Sequence, residues 1–258
     1  MTPRPLALGL AASLLLAPAA RAGESACWFE NGAVVVPAEI AGVAGDWLLD
    51  PSSAHTLLHE TRARMAGLPE AFAARGHIAG EALDGLRVTV ANLDGRAPGF
   101  PTPIAGVIGA DVLGLYVVDI DFAPCRVRLS RGEGPGQPGS RALTLTAVGG
   151  APTVLAAISD DRRARRGTFA IDFSSRAAVR LTSATFTPPG SEAERAPRGV
   201  APARLRALSF DGTLYENLSA ALAPDLDPAL AGALGTDFWS HWRLRLDIRR
   251  GRLLLSPE

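Results

Sequence analysis

Gly106-Val107-Ile108-Gly109-Ala110-Asp111-Val112-Leu113 returns later in the chain as Gly232-Ala233-Leu234-Gly235-Thr236-Asp237-Phe238-Trp239. The agreement continues without a gap. Asp121 falls on Asp247, Leu129 on Leu255 and Ser130 on Ser256, all at one offset (235 − 109 = 126, 247 − 121 = 126). Such ungapped self-similarity marks an internal duplication.

Upstream of each block, an apolar run ends in a carboxylate. The first is Trp47-Leu48-Leu49-Asp50-Pro51-Ser52-Ser53 and the second Phe169-Ala170-Ile171-Asp172-Phe173-Ser174-Ser175. Short apolar runs bounded by turn residues read as buried strands. Each strand then delivers its Asp to the end of a sheet, where a Ser-rich turn follows. The offset here is 122 (172 − 50), four short of 126, so the length differences fall between carboxylate and closing block, as loop changes do. A duplication with one carboxylate per copy invites a facing pair, Asp50 with Asp172.

Together these features resemble the pepsin–retropepsin superfamily of aspartic peptidases. In that family each lobe has a strand ending in hydrophobic-hydrophobic-Asp-Thr/Ser-Gly. Leu48-Leu49-Asp50 and Ala170-Ile171-Asp172 match the strand ends. Val107-Ile108-Gly109 and Ala233-Leu234-Gly235 match the segment that passes beside each of them. Asp121–Leu129 and Asp247–Leu255 match the closing strand pairs, so the resemblance covers roughly residues 33–256. It implies an all-β, bilobal fold of two retropepsin-like barrel lobes with a cleft between them. It also implies an endopeptidase in which Asp50 and Asp172 share a proton and activate a water, since like charges that close do not both ionise cheaply. Ser52, Ser53, Ser174 and Ser175 are the expected substrate-binding residues, and no cofactor or metal is expected.

The chain departs from the family pattern beside both carboxylates. Pro51 and Phe173 stand where the family has a hydroxyl residue, and Ser52 and Ser174 where it has Gly. No counterpart of the pepsin flap Tyr occurs in Gly76–Gly95. The alternative function is therefore a catalytically degenerate module that holds an extended peptide by strand addition without cutting it.

Composition narrows the remaining classes. The 258 residues suffice for two lobes of roughly 100–120 residues. The formal net charge is zero, which gives no electrostatic case for nucleic acid or anionic lipid as a partner. All 26 basic residues are Arg, which excludes Schiff-base, Ser-Lys and P-loop lysine chemistry. Met1–Ala22 reads as a secretory signal, with Arg4, an apolar Leu6–Ala17 and a small-x-small end at Ala20-Arg21-Ala22. The expected division is signal 1–22, first lobe 23–130, a Gly/Pro linker 131–140 and second lobe 141–258. A periplasmic or secreted monomer acting on peptides or proteins follows, with no membrane association after cleavage. In that compartment Cys27 and Cys125 are the available disulfide, closing 125 − 27 = 98 residues.

Local readings complete the expectation. Val34–Ile40 and Asp46–Leu49 form a hairpin about an Ala41–Gly45 turn. Helical turns lie between His59 and Gly67, and a second hairpin lies within Gly76–Gly95. Asp111 and Asp237 are expected to cap short helices, and Asp121 and Asp247 to be structural. His55 invites a Ser-His pair with Ser52 or Ser53, but a solvent-facing turn residue is the simpler reading. His59, His77 and His241 lack metal-ligand spacing. Arg162, Arg163, Arg165 and Arg166 are expected at a charged hairpin tip, and Trp239 and Trp242 in the core.

Overall fold

The computed structural model describes residues 23–96, 100–134, 136–159, 164–182, 203–224 and 226–257. The signal segment expected at 1–22, together with Arg162 and Arg163, lies outside them.

The chain opens with β1 (Gly23–Ala26), β2 (Trp28–Glu30), β3 (Ala33–Ile40), β4 (Val43–Leu49) and β5 (Thr56–His59). Helix α1 (Glu60–Met65) leads into β6 (Ala71–Ile78) and β7 (Glu81–Ala91). Then come β8 (Gly106–Ile108), α2 (Ala110–Leu113), β9 (Val117–Phe122) and β10 (Cys125–Ser130). The second half runs β11 (Arg141–Thr144), β12 (Thr146–Val148), β13 (Ala151–Ser159), β14 (Ala164–Ile171) and β15 (Val179–Leu181). It ends with β16 (Ala203–Phe210), β17 (Thr213–Leu222), β18 (Gly232–Leu234), α3 (Thr236–Trp239), β19 (Trp242–Asp247) and β20 (Arg252–Pro257).

Two barrels and a platform result. In the first lobe the strands run β3-β4-β8-β5-β7-β6 and close through β3–β6; β2 hangs on the side of β3. In the second, β13-β14-β18-β15-β17-β16 closes through β13–β16, with β12 on the side of β13. The two orders are identical element for element. Beneath both, the sheet β1-β10-β9-β19-β20-β11 joins the halves through antiparallel β9 and β19. The fold is all-β and bilobal, as expected from the sequence resemblance.

Residue types explain the local geometry. Trp47, Leu48, Leu49, Phe169, Ala170 and Ile171 are fully buried, so the C-terminal ends of β4 and β14 read as short continuous apolar runs. The β3–β4 turn is tighter than expected. Ala41 (φ 57°) and Gly42 (φ 74°) both take left-handed backbone, giving a two-residue turn, and the return strand already begins at Val43. Strand β14 likewise starts earlier than expected, so exposed Arg165 and Arg166 lie on the strand rather than in a turn. Trp239 is fully buried and packs edge-to-face on Phe210 and Phe238; Trp242 is half-buried against the same cluster.

The disulfide Cys27–Cys125 is formed. It pins the junction of β1 and β2 to the start of β10, next to the β1–β10 ladder.

Candidate functional site

The repeated glycines exist because a strand and a ring press on them. Strand β8 runs parallel to β4, and β18 parallel to β14. A side chain at Gly106 would strike the Trp47 ring at 2.3 Å, and one at Gly232 the Arg180 carbonyl at 2.1 Å. At Gly109 and Gly235 it would meet the backbone of His55 at 2.5 Å and of Ala177 at 2.1 Å. This close packing places each carboxylate. The Asp50 N–H donates to Ile108 O at 3.0 Å and the Asp172 N–H to Leu234 O at 2.9 Å, bonds that repeat the offset (234 − 108 = 126). The turns repeat as well: Ala110 N–H donates to Ser53 O, and Thr236 N–H to Ser175 O.

The lobes then bring the two acids together. Asp50 is 1% exposed and Asp172 0%. Each Oδ1 accepts the N–H two residues on, from Ser52 at 2.9 Å and from Ser174 at 2.8 Å. The Ser52 hydroxyl donates to its own Asp50 Oδ1 at 2.7 Å. The Ser174 hydroxyl lies between lobes, 2.9 Å from Asp172 Oδ1 and 2.9 Å from Asp50 Oδ2. A hydroxyl has one hydrogen. Both contacts are full hydrogen bonds when one carboxyl is itself protonated and donates to Ser174 Oγ.

Asp50 is the carboxyl suited to hold that proton. Burial raises its pKa above the ordinary Asp value, the neighbouring Asp172 charge raises it further, and Arg96, Ser52 and Ser174 pull it back only in part. On the other side, Arg180 Nη1 donates to Asp172 Oδ2 at 2.7 Å, a short charge-assisted bond. Arg96 Nη1 reaches Asp50 Oδ2 at 3.2 Å. The array therefore runs from Arg180 through Asp172, Ser174 and Asp50 to Arg96.

The grip beneath the pair uses other atoms than a hydroxyl beside each Asp. Val34 N–H donates to Phe173 O at 2.9 Å, and the Thr236 hydroxyl to Gly32 O at 2.6 Å, so both bonds cross between lobes. The Phe173 ring is fully buried against Phe122. A main-chain bond, the Thr236 hydroxyl and aromatic packing thus join the lobes where Pro51 and Phe173 offer no side-chain oxygen.

The four serines divide. Ser52 and Ser174 touch the carboxylates. Ser53 is buried and its hydroxyl donates to His55 O, while the Ser175 carbonyl accepts from Thr236. His55 makes no side-chain pair with either Ser52 or Ser53; its exposed ring faces Asp111 at 3.9 Å. Asp111 and Asp237 are not caps: Gly109 and Gly235 hold those positions, and the acids sit inside the first turn. Asp111 accepts from Thr56 N–H and hydroxyl, and Asp237 from Ser219, tying each helix to its barrel. Asp121 pairs with Arg243, and Asp247 with Arg250 and Arg252.

Arg96 and Arg180 escaped the sequence reading. Arg180 had a signal: it stands opposite Ala233 on β18 where the first lobe has Leu57 opposite Val107 (233 − 107 = 126), a cation in an apolar strand. Arg96 ends a single 3-10 turn, Asp94–Arg96, and no periodicity marks it.

Two closed barrels over a shared six-stranded platform, with one acid from each lobe meeting at the seam, define a bilobal acid-proteinase type of fold. The crystal structure of aspartic proteinase from Irpex lacteus is similar over 92% of this chain and 97% of that one, with a TM-score of 0.58 and 12% identity. No protein-family model and no curated protein matches the sequence.

Proposed function

We propose that the chain is an exported aspartic endopeptidase, periplasmic or secreted, that takes an extended peptide between its lobes. Asp50 and Asp172 are its acid pair. The observation that carries this reading is the single hydroxyl spanning both carboxylates, an arrangement satisfied by one shared proton. On this reading Asp50 presents its proton to the scissile carbonyl, while ionised Asp172 takes a proton from the attacking water. Collapse of the tetrahedral species then expels the amine, which takes the proton held by Asp172 as Asp50 recovers its own from the former carbonyl oxygen, and no covalent intermediate forms. Coupled carboxyls of this kind titrate as a pair.

A second reading has its own observation. Both carboxylates are buried, each has an Arg partner, and Ser174 Oγ fills a position that a bridging water needs. This favours a module that binds an extended peptide without cleaving it.

Incubation with a mixed peptide library between pH 3 and 7, read by mass spectrometry, separates the two. An endopeptidase cuts internally and loses this in Asp50→Asn. In Ser174→Gly, which vacates the bridging position, cutting rises. Peptide binding with no cleavage in wild type or Ser174→Gly supports the module. Cleavage that survives in Asp50→Asn rules out the acid pair as the catalyst.

A further inference from the structure

Among the described residues, charge at the seam does not balance. Arg180 and Arg96 bring two positive charges to the acid pair. Ser174 Oγ, 2.9 Å from both carboxylates, is satisfied on both sides when the pair holds one proton, and the pair then brings one negative charge. Arg180 is answered by Asp172 at 2.7 Å. Arg96 faces the proton-bearing carboxyl at the longer distance of 3.2 Å. Its side chain is 32% exposed, twice the 16% of Arg180. Among the described residues, Asp94 and Glu60 have other partners. Asp94 accepts from His59 and Asn92, and Glu60 pairs with Asn92 and Arg64.

We propose that Arg96 is an anion subsite beside the acid pair and that the preferred ligand is a peptide carrying a carboxylate there. This rests on the peptide cleft of the preceding section and names its substrate class. The carboxylate is either an acidic side chain next to the scissile bond or the free C-terminus of a short peptide. Guanidinium donors are planar and suited to paired bonds with a carboxylate. A ligand carboxylate that draws Arg96 toward itself also leaves Asp50 Oδ2 with Ser174 as its remaining partner, so recognition and release of the acid pair are one event. A neutral peptide leaves Arg96 on Asp50.

The test uses one octapeptide in four forms: Gln or Glu at the central position, each with a C-terminal amide or acid. Binding is measured by competition against a dye-labelled library peptide at 4 °C, and cleavage by mass spectrometry. Wild type is expected to favour one carboxylate form over the doubly neutral peptide by about tenfold. Which form wins identifies the source of the charge. Arg96→Leu is expected to collapse that ratio to about one, and Arg96→Lys, which keeps the charge without the paired donors, to retain only part of it. Equal binding of all four forms by wild type, no binding of any, or a preference that persists in Arg96→Leu overturns the proposal. Binding preference without cleavage leaves the subsite standing and removes the endopeptidase reading.

Discussion

Asp50 carries the strongest consequence at the level of a single residue. Its folded pKa is raised chiefly by burial and then by Asp172. A carboxyl raised in this way binds its proton more tightly folded than unfolded. The stability it contributes is present below the unfolded pKa and is lost as pH climbs through the folded one. Asp50→Asn removes that loss. Its unfolding temperature is expected to exceed wild type at pH 7, with the gain shrinking toward pH 3; a gain that is constant across pH contradicts the assignment. Ser174→Ala removes the bond between lobes and leaves both carboxylates short of a donor. It is expected to cost about 1–2 kcal/mol in urea unfolding, against a near-zero cost if Ser174 were a simple turn residue. Asp50 and Asp172 were legible in sequence because an apolar run ending in Asp occurs twice. Their arginines were not, because each arrives from a different element and neither obeys the repeat.

At the level of elements, the repeat meets itself in the platform. On the β9–β19 ladder Asp119 lies opposite Arg245, the same position in both copies (245 − 119 = 126). The pair is buried and bidentate, at 2.6 and 3.0 Å. Two first lobes joined this way would set Asp against Asp, and two second lobes Arg against Arg. The duplication has thus diverged where the pseudo-twofold axis passes, and unlike lobes are favoured. Asp119→Arg is expected to destabilise by about 3–5 kcal/mol, since it leaves buried cations facing each other. The exchange Asp119→Arg with Arg245→Asp is expected to recover most of that loss. An exchange no better than the single variant would show that the pairing is incidental.

The disulfide belongs to the same scale. Replacing Cys27 and Cys125 with Ser releases a loop of 98 residues, at an expected cost of about 4 kcal/mol. Amide exchange is expected to rise first in β1, whose ladder in the platform is with β10. Unchanged protection there would place the benefit elsewhere. Both cysteines could be paired by count, but the elements they join became evident only once β1 was seen to extend the central sheet.

Across the whole molecule, symmetry was the legible part. The offset of 126 foretold two like halves, and the strand orders of the barrels agree with it element for element. What the repeat could not convey is where the halves differ. Leu57 against Arg180 and Asp119 against Arg245 are single-residue departures whose meaning depends on the carboxylate each Arg meets in the fold. The lobe interface also rests on main-chain bonds such as Val34 to Phe173, which any residue type could supply. Side-chain patterns therefore announced the barrels, while the seam combines backbone contacts that carry no sequence signature with single side-chain bonds such as Ser174 to Asp50 and Arg245 to Asp119.

The central claim is that one acid from each half acts with the other as a unit. A double-mutant cycle tests it: unfolding free energies of wild type, Asp50→Asn, Asp172→Asn and the double variant at pH 7 and pH 3. The expected result is strong non-additivity at pH 7, where the Asp172 charge weighs on Asp50, shrinking toward pH 3, where Asp50, its pKa raised, holds its proton. Additive effects at both pH values would mean that the two carboxyls do not sense each other.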